Sequence, residues 1–432
     1  MPSHWFSDKI LVIDKNIVVV TSRSWFVPPD VLDKGVTPFT YGGVTRFLAS
    51  TFSGATLAFQ AKLFDRYPYV NEKTILPYWL DVIKGNRSQI IDNCAYLDHT
   101  VIDGVVSVQT TKGCFASRLL IDASGYNSII LDKYQIKRNN FYWWSVYGAV
   151  GEHPNGLQGM QVGDYMMWQT FKDSNENLDT SLAQGRPVFE YEIYDDKTSL
   201  SLVLYLRKVQ ISYSDMEKEY LHVIRDEDST RPFHDIRIKE IKYGWYPSGS
   251  LSQQIAEDHV VFVGDSGCWT TPCGWGMGFI LNNYQFFASQ LSKVLSANTL
   301  DKHSLLSIPH YKVHQKYETL MNTLATHFLS NASAPQLDKF INLFNEVDPI
   351  LCEKMFTLKM SEKELREMLK VVLKTFDLKE LVQIIPKQDY LLALEEAKYV
   401  VEDTVVSKIH DMIHFISRHD DKPGLNDGFE FQ

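Results

Sequence analysis

His259-Val-Val-Phe-Val-Gly264-Asp265-Ser-Gly267-Cys-Trp-Thr-Thr-Pro272-Cys-Gly274-Trp-Gly276-Met-Gly278-Phe-Ile-Leu-Asn282-Asn283 is the stretch on which the reading of this chain turns. Val260 to Val263 is a short apolar, β-branched run, the pattern of a strand covered on both faces. Gly264-Asp265 ends it. Glycines and a proline then crowd the residues before the apolar run Phe279 to Leu281, which starts a helix. Glycines so placed let backbone approach a ligand closely, and a helix N-terminus offers free N–H groups and a positive dipole end. A tight turn before an ordinary helix would use one or two of these glycines. Gly-Asp followed by Pro-x-Gly-x-Gly-x-Gly reads instead as a ligand loop.

Upstream, Arg118-Leu-Leu-Ile-Asp122-Ala-Ser124-Gly125-Tyr-Asn-Ser128 is a second strand ending in an acid and a glycine turn. Gly264-Asp265 follows about 140 residues later, room for an inserted domain. Together the two stretches resemble the middle and last flavin motifs of the FAD-dependent superfamily that holds aromatic monooxygenases, geranylgeranyl reductases and flavoprotein lycopene cyclases. The resemblance is greatest on the cyclase and reductase side. It implies an α/β fold: a three-layer FAD/NAD(P)-binding Rossmann-like domain, an antiparallel β-sheet substrate domain and a helical C-terminal region. The expected divisions are 1–135 for the first, N-terminally incomplete part of the FAD-binding domain, 136–245 for the substrate sheet, 246–300 for the last FAD-binding part and 301–432 for the helices.

The resemblance also implies FAD as cofactor. The expected contacts are Asp122, Gly125, Gly264, Asp265, Pro272, Gly274, Gly276 and Gly278. Lys9-Ile-Leu-Val-Ile-Asp14 is a further strand ending in an acid, and Asp14 is expected on the adenosine ribose. Arg46 is expected on the FAD phosphate or ribose. A G-x-G-x-x-G fingerprint should stand about 20 residues before such an acid. Only Met1 to Asp8 precede the strand. The expectation is therefore either a shortened member of the family or a scaffold that has given up FAD.

Between the flavin motifs, strands are predicted at Trp144–Val150, Met166–Phe171, Pro187–Tyr194 and Leu200–Leu206. They carry Trp143, Trp144, Tyr147, Tyr165, Trp168, Phe171, Phe189 and Tyr191. Such a surface suits a long apolar substrate, and the resemblance implies an isoprenoid or carotenoid. Cyclase chemistry needs a buried acid of raised pKa. Glu152, Asp164, Glu190 and Glu192 are the acids lying among aromatics. The Leu-Glu-Glu-Thr motif of plant-type cyclases is absent. Three functions stay open: a cyclase or reductase of apolar isoprenoids, another flavin-dependent oxidoreductase or monooxygenase, and a flavin-free binding or regulatory scaffold.

Composition bounds these readings. The chain has 432 residues, 44% of them hydrophobic, 13% aromatic and 22% charged. Its formal net charge of −10 argues against nucleic acid as a partner. The expected partner is a small apolar molecule. Five scattered cysteines without Cys/His ligand spacing predict no metal site and a reducing, intracellular compartment, cytoplasmic or plastid. No run approaches the roughly 18–20 apolar residues of a membrane span, so membrane contact is expected to be peripheral at most. Further turns and helices are predicted locally: a Gly-Gly turn at Tyr41-Gly42-Gly43, a hairpin at Asp103-Gly104, a helix carrying Leu76, Trp79, Leu80 and Ile83, and a capping box at Ser361-Glu-Lys-Glu364. Helical spacing is also read at Tyr311 to Phe328 and Leu391 to Ile413.

Overall fold

Val18, Val20, Leu120, Val260 and Phe262 are almost fully buried on one side of three short strands, and Leu119 and Val261 are fully buried on the other. Strands covered on both faces need a layer above and a layer below. A computed structural model describes residues 9–13, 17–21, 40–50, 55–60, 67–70, 72–86, 88–136, 142–157, 159–169, 188–226, 228–248, 256–267, 276–308, 332–356, 360–377 and 380.

In chain order the elements begin with β1 (Lys9–Ile13), β2 (Ile17–Thr21), β3 (Thr40–Val44), β4 (Arg46–Ser50), β5 (Thr56–Gln60), β6 (Tyr67–Val70) and α1 (Glu72–Gly85). Then come β7 (Gln89–Ile91), β8 (Tyr96–Ile102), β9 (Val105–Thr110), β10 (Gly113–Ser117), β11 (Leu119–Ala123) and α2 (Ile129–Lys133). The middle of the chain gives β12 (Tyr142–Glu152), β13 (Asp164–Gln169), β14 (Val188–Ile193), β15 (Thr198–Arg207), α3 (Tyr213–Asp226) and β16 (Arg237–Ser248). The last elements are β17 (Ala256–Glu257), β18 (Val260–Phe262), α4 (Gly276–Ala297), α5 (Lys302–Leu306), α6 (Ala334–Asn345), α7 (Pro349–Phe356) and α8 (Glu362–Thr375).

A six-stranded sheet in the order β17-β18-β11-β2-β1-β7 forms the middle layer. β2, β11 and β18 run parallel. On one side Val18, Val20, Leu120, Val260 and Phe262 meet Tyr96, Val106 and Val108 of the β8–β9–β10 meander and Ile130 and Leu131 of α2. On the other, Leu119 and Val261 meet Phe287 and Leu291 of α4 and Leu305 of α5. This three-layer α/β arrangement is the expected one. The Asp103-Gly104 hairpin also forms, with both residues at positive φ (50° and 74°), as a two-residue turn of type I′ demands.

The strand before Asp14 runs differently from the expectation. β1 pairs antiparallel with β2, Ile13 opposite Ile17, and Ile17 in turn lies opposite Leu119, the first residue of β11. β1 thus ends at the sheet edge where the parallel strands begin. Asp14 itself lies outside the described residues. β2, not β1, stands beside β11.

The second sheet has seven strands in the order β16-β12-β15-β14-β13-β4-β5. All four strands predicted for the substrate region are present, within a few residues of their expected ends. β4 and β5, from within 1–135, extend this sheet, and β16 runs on to Ser248. Tyr41-Gly42-Gly43, expected as a turn, lies in β3, where a register irregularity between Tyr41 and Val44 takes up the glycines. One face of the large sheet packs on α3: Tyr147, Phe189, Tyr191, Ile193 and Val203 meet Met216, Tyr220, Val223 and Ile224. At the far end Leu57, Phe47 and Ala49 pack on α6–α8 through Leu343, Phe344 and Met368. The Ser361/Glu364 capping box forms at the start of α8 as expected, and α1 spans the expected helix. Residues 311–328 and 391–413 lie outside the described residues. Among the described residues no helix is long and apolar enough to cross a membrane.

Gly148, in the middle of β12, has no room for a side chain: a Cβ would run into the Ser201 carbonyl and the backbone of Leu202. Backbone cannot swing aside as a side-chain tip can. Gly148→Ala is expected to cost about 3 kcal/mol or more in chemical denaturation, at the high end of overpacking penalties.

Candidate functional site

Asp122 is fully buried where β11 leaves the sheet. Its carboxylate accepts from the Ser124 N–H (2.9 Å), the Ser124 hydroxyl (2.6 Å) and the Ser128 hydroxyl. Ser128 also caps α2, accepting from the N–H groups of Ile130 and Leu131 (both 3.1 Å). Gly125 sits between them at φ 88°. The Asp-Ala-Ser-Gly turn is therefore tied to itself and to a helix start. Asp122 binds the loop together, a role the spacing Asp122-x-x-Gly125-x-x-Ser128 carries in full.

The Gly264 turn is clamped to the same place. The Val263 N–H donates to the Asp122 carbonyl (2.9 Å), and the Ser266 hydroxyl donates to that oxygen (2.7 Å) and to Val263 O (2.8 Å). Ser266 is fully buried. Gly264 needs glycine for its φ of 64°, and nothing stands within 4 Å of where its Cβ would be. Gly267 is different: a Cβ there would strike the Phe262 carbonyl, so the turn's own backbone requires it. Asp265 is partly exposed beside Gly264. Gly276 and Gly278 open α4. Pro272, Gly274, Cys268 and Cys273 lie outside the described residues. The Asp122 and Gly264 turns lie at the carboxyl ends of the parallel strands, the end at which open α/β sheets hold ligands.

Strand alternation separates the four expected acids. Phe189, Tyr191 and Ile193 of β14 face α3, so Glu190 and Glu192 lie together on the opposite face. On neighbouring strands that face carries Tyr165, opposite Glu192, Met167, opposite Glu190, and Leu200 and Leu202 of β15. Trp144, Leu204, Leu206 and Tyr246 continue it. Burial pushes Glu190 up to about 8, with the neighbouring Glu192 charge adding to it and a hydrogen bond from Tyr165 opposing it. Burial pushes Glu192 up to about 7 against a hydrogen bond from Tyr194. No basic side chain acts on either carboxyl among the described residues.

The other two acids are placed otherwise. Asp164 lies on the α3 face, one residue out of step with Tyr165, and is gripped by Arg46 through Nε–Oδ1 (2.7 Å) and a terminal nitrogen to Oδ2 (2.6 Å). The Gln161 N–H donates to it as well (2.9 Å). Arg46 thus joins β4 to β13 and is not turned to a phosphate. Glu152 ends β12 with its side chain 43% exposed and pairs with Lys239 (2.9 Å), which lowers its pKa.

The aromatics divide by the same rule. Trp144 and Tyr165 share the face of the acids, whereas Tyr147, Phe189 and Tyr191 belong to the α3 core. Trp143 meets Tyr126 of the Asp122 loop edge-on, centroids 4.5 Å apart, and so joins the two sheets. Phe171 and the Trp168 side chain lie outside the described residues. Sequence reading missed Ser266 and the hydrogen bond from Tyr165; the period of two along β13 and β14 was the available signal for the latter.

No protein-family model and no curated protein matches the chain. Solved structures do. A geranylgeranyl bacteriochlorophyll reductase-like protein from Thermoplasma acidophilum superposes with a TM-score of 0.57 at 12% identity, covering 82% of this chain and 86% of that one. A flavoprotein/dehydrogenase from Cytophaga hutchinsonii gives 0.54 at 13%, covering 83% and 85%. The halogenase PltM, in complex with phloroglucinol and FAD, gives 0.53 at 10%, covering 91% and 83%. The chain shares the fold of these structures, a Rossmann-type sheet together with a second, largely antiparallel sheet.

Two outcomes follow. Ser128→Ala removes a helix cap and a donor to a buried carboxylate together, and is expected to lower stability by about 2–4 kcal/mol in denaturant titration. Glu190 binds its proton more tightly folded than unfolded, so its contribution to stability is full below its ordinary pKa and is lost as pH rises towards about 8. The melting temperature of Glu190→Gln relative to wild type should therefore climb between pH 5 and pH 8 and level off above, by calorimetry; a flat difference would contradict the placement.

Proposed function

We propose that the chain is an FAD-dependent enzyme that adds a proton to, or takes one from, an apolar isoprenoid-type small molecule lying against the Glu190/Glu192 face. One observation carries this reading: two acids of raised pKa share an aromatic and aliphatic face with Tyr165 and have no basic partner among the described residues. A carboxyl that keeps its proton near neutral pH is what general-acid chemistry on a weak base requires. Glu152, whose pKa is lowered by Lys239, would have given that proton up.

The fold and the open space at Gly264 support FAD as the cofactor. Gly264, Asp265 and the Gly276–Gly278 start of α4 would hold it; bound there, it supplies hydride or electron chemistry. The rest is done by the chain. Trp144, Leu202, Leu204 and Tyr246 exclude water and orient an apolar chain. Glu190 or Glu192 holds the proton at a carboxyl oxygen, and the Tyr165 hydroxyl fixes the direction of the Glu190 carboxyl.

The test is in two steps. Purified protein incubated with FAD should retain flavin absorbance after gel filtration; protein that stays colourless sinks the cofactor half of the reading. Flavin-loaded protein, with the flavin reduced, is then assayed with lycopene and with shorter acyclic polyenes. Glu190→Gln and Glu192→Gln should each keep FAD and lose turnover, the more important acid by about 10²-fold or more. Undiminished turnover in both variants would remove the acid pair from the chemistry.

A further inference from the structure

β16 ends the seven-stranded sheet among the described residues, and it is a long edge. Residues 237–241 and Tyr243 are all exposed, with Ile238, Ile241 and Tyr243 at 43%, 45% and 38%. A long edge strand with exposed isoleucines is a template for another strand, and proteins ordinarily blunt such edges. The charges of β16 do not blunt it uniformly. They select a register.

For two copies of β16 meeting antiparallel about a two-fold axis perpendicular to the sheet, like faces must align, which limits the pairing to a few registers. If Glu240 sits on the axis, it meets the partner's Glu240. If Lys242 sits there, it meets the partner's Lys242. If Ile241 sits on the axis, isoleucine meets isoleucine on one face, and Glu240 faces the partner's Lys242 twice on the other. Glu240 and Lys242 already pair within the strand (2.6 Å), with side chains 48% and 37% exposed, so the axis would carry a closed set of four alternating charges. Directly opposed unlike charges and apolar pairs stabilise a ladder, and like charges destabilise it. The irregularity opposite Val150 and Gly151 ends the regular stretch near Lys239, which is itself engaged with Glu152.

We propose that the chain forms a two-fold dimer by antiparallel pairing of β16 with a second copy, with Ile241 on the axis. The two large sheets would then run together as one across the dimer, with the Glu240 and Lys242 charges at the outer edge of the face that carries Glu190, three strands away from it.

Light scattering after size exclusion should give twice the chain mass for the full protein. Glu240→Lys alone and Lys242→Glu alone each place like charges opposite one another at both positions, and each should weaken dimerisation by about ten- to thirtyfold. The double exchange, Glu240→Lys with Lys242→Glu, restores opposite charges and should recover the dimer. Both positions are exposed, so far-ultraviolet circular dichroism and melting should stay at wild-type values. A monomeric native protein overturns the proposal. So do single variants that remain fully dimeric, or a double variant no tighter than the singles.

Discussion

The Val263 N–H and the Ser266 hydroxyl both donate to the Asp122 carbonyl, and so β11 and β18 leave the sheet locked side by side. This clasp fixes two turns against each other. Asp122 organises one through Ser124 and Ser128; Gly264 and Gly267 shape the other. The strands below cannot slide, since Leu120, Val260 and Phe262 are buried under the meander while Leu119 and Val261 are buried under α4 and α5. Two turns held side by side at the carboxyl ends of parallel strands are the result of that two-sided burial.

The second sheet is set by the period of two. Along β14, Phe189, Tyr191 and Ile193 are drawn into the α3 core, which leaves Glu190 and Glu192 no choice of face. The same alternation on β13 brings Tyr165 alongside them and sends Asp164 to Arg46. One packing requirement therefore separates an acid held in a bidentate pair with Arg46 from two acids whose pKa burial raises. The difference in chemistry between residues so close in the fold comes from which way each strand position points.

Much of this was legible in the sequence. The apolar run at Val260, the Asp122 turn, the hairpin at Asp103-Gly104 and the middle strands all follow from local pattern, because in each case neighbouring residues alone dictate the backbone. Glu190 and Glu192 were legible as acids among aromatics. What local pattern could not show was partner choice. Arg46 and Asp164 are 118 positions apart, and only the parallel pairing of β4 with β13 joins them. The direction of β1 is likewise a matter of pairing: Lys9 to Ile13 reads equally well as a parallel strand or as the outer arm of a hairpin with β2. Aromatic content suggested one lined face, and alternation divided it between a core and a site.

The central claim is that Glu190 and Glu192 keep a proton under conditions where ordinary carboxyls have lost theirs. Infrared titration of the protein reads this directly through the absorption of protonated carboxyl groups. The account requires such a signal to persist at pH 7 in the native protein and to disappear in the variant carrying both Glu190→Gln and Glu192→Gln. A native protein with no protonated carboxyl at pH 7, or a signal left unchanged in that variant, would contradict it.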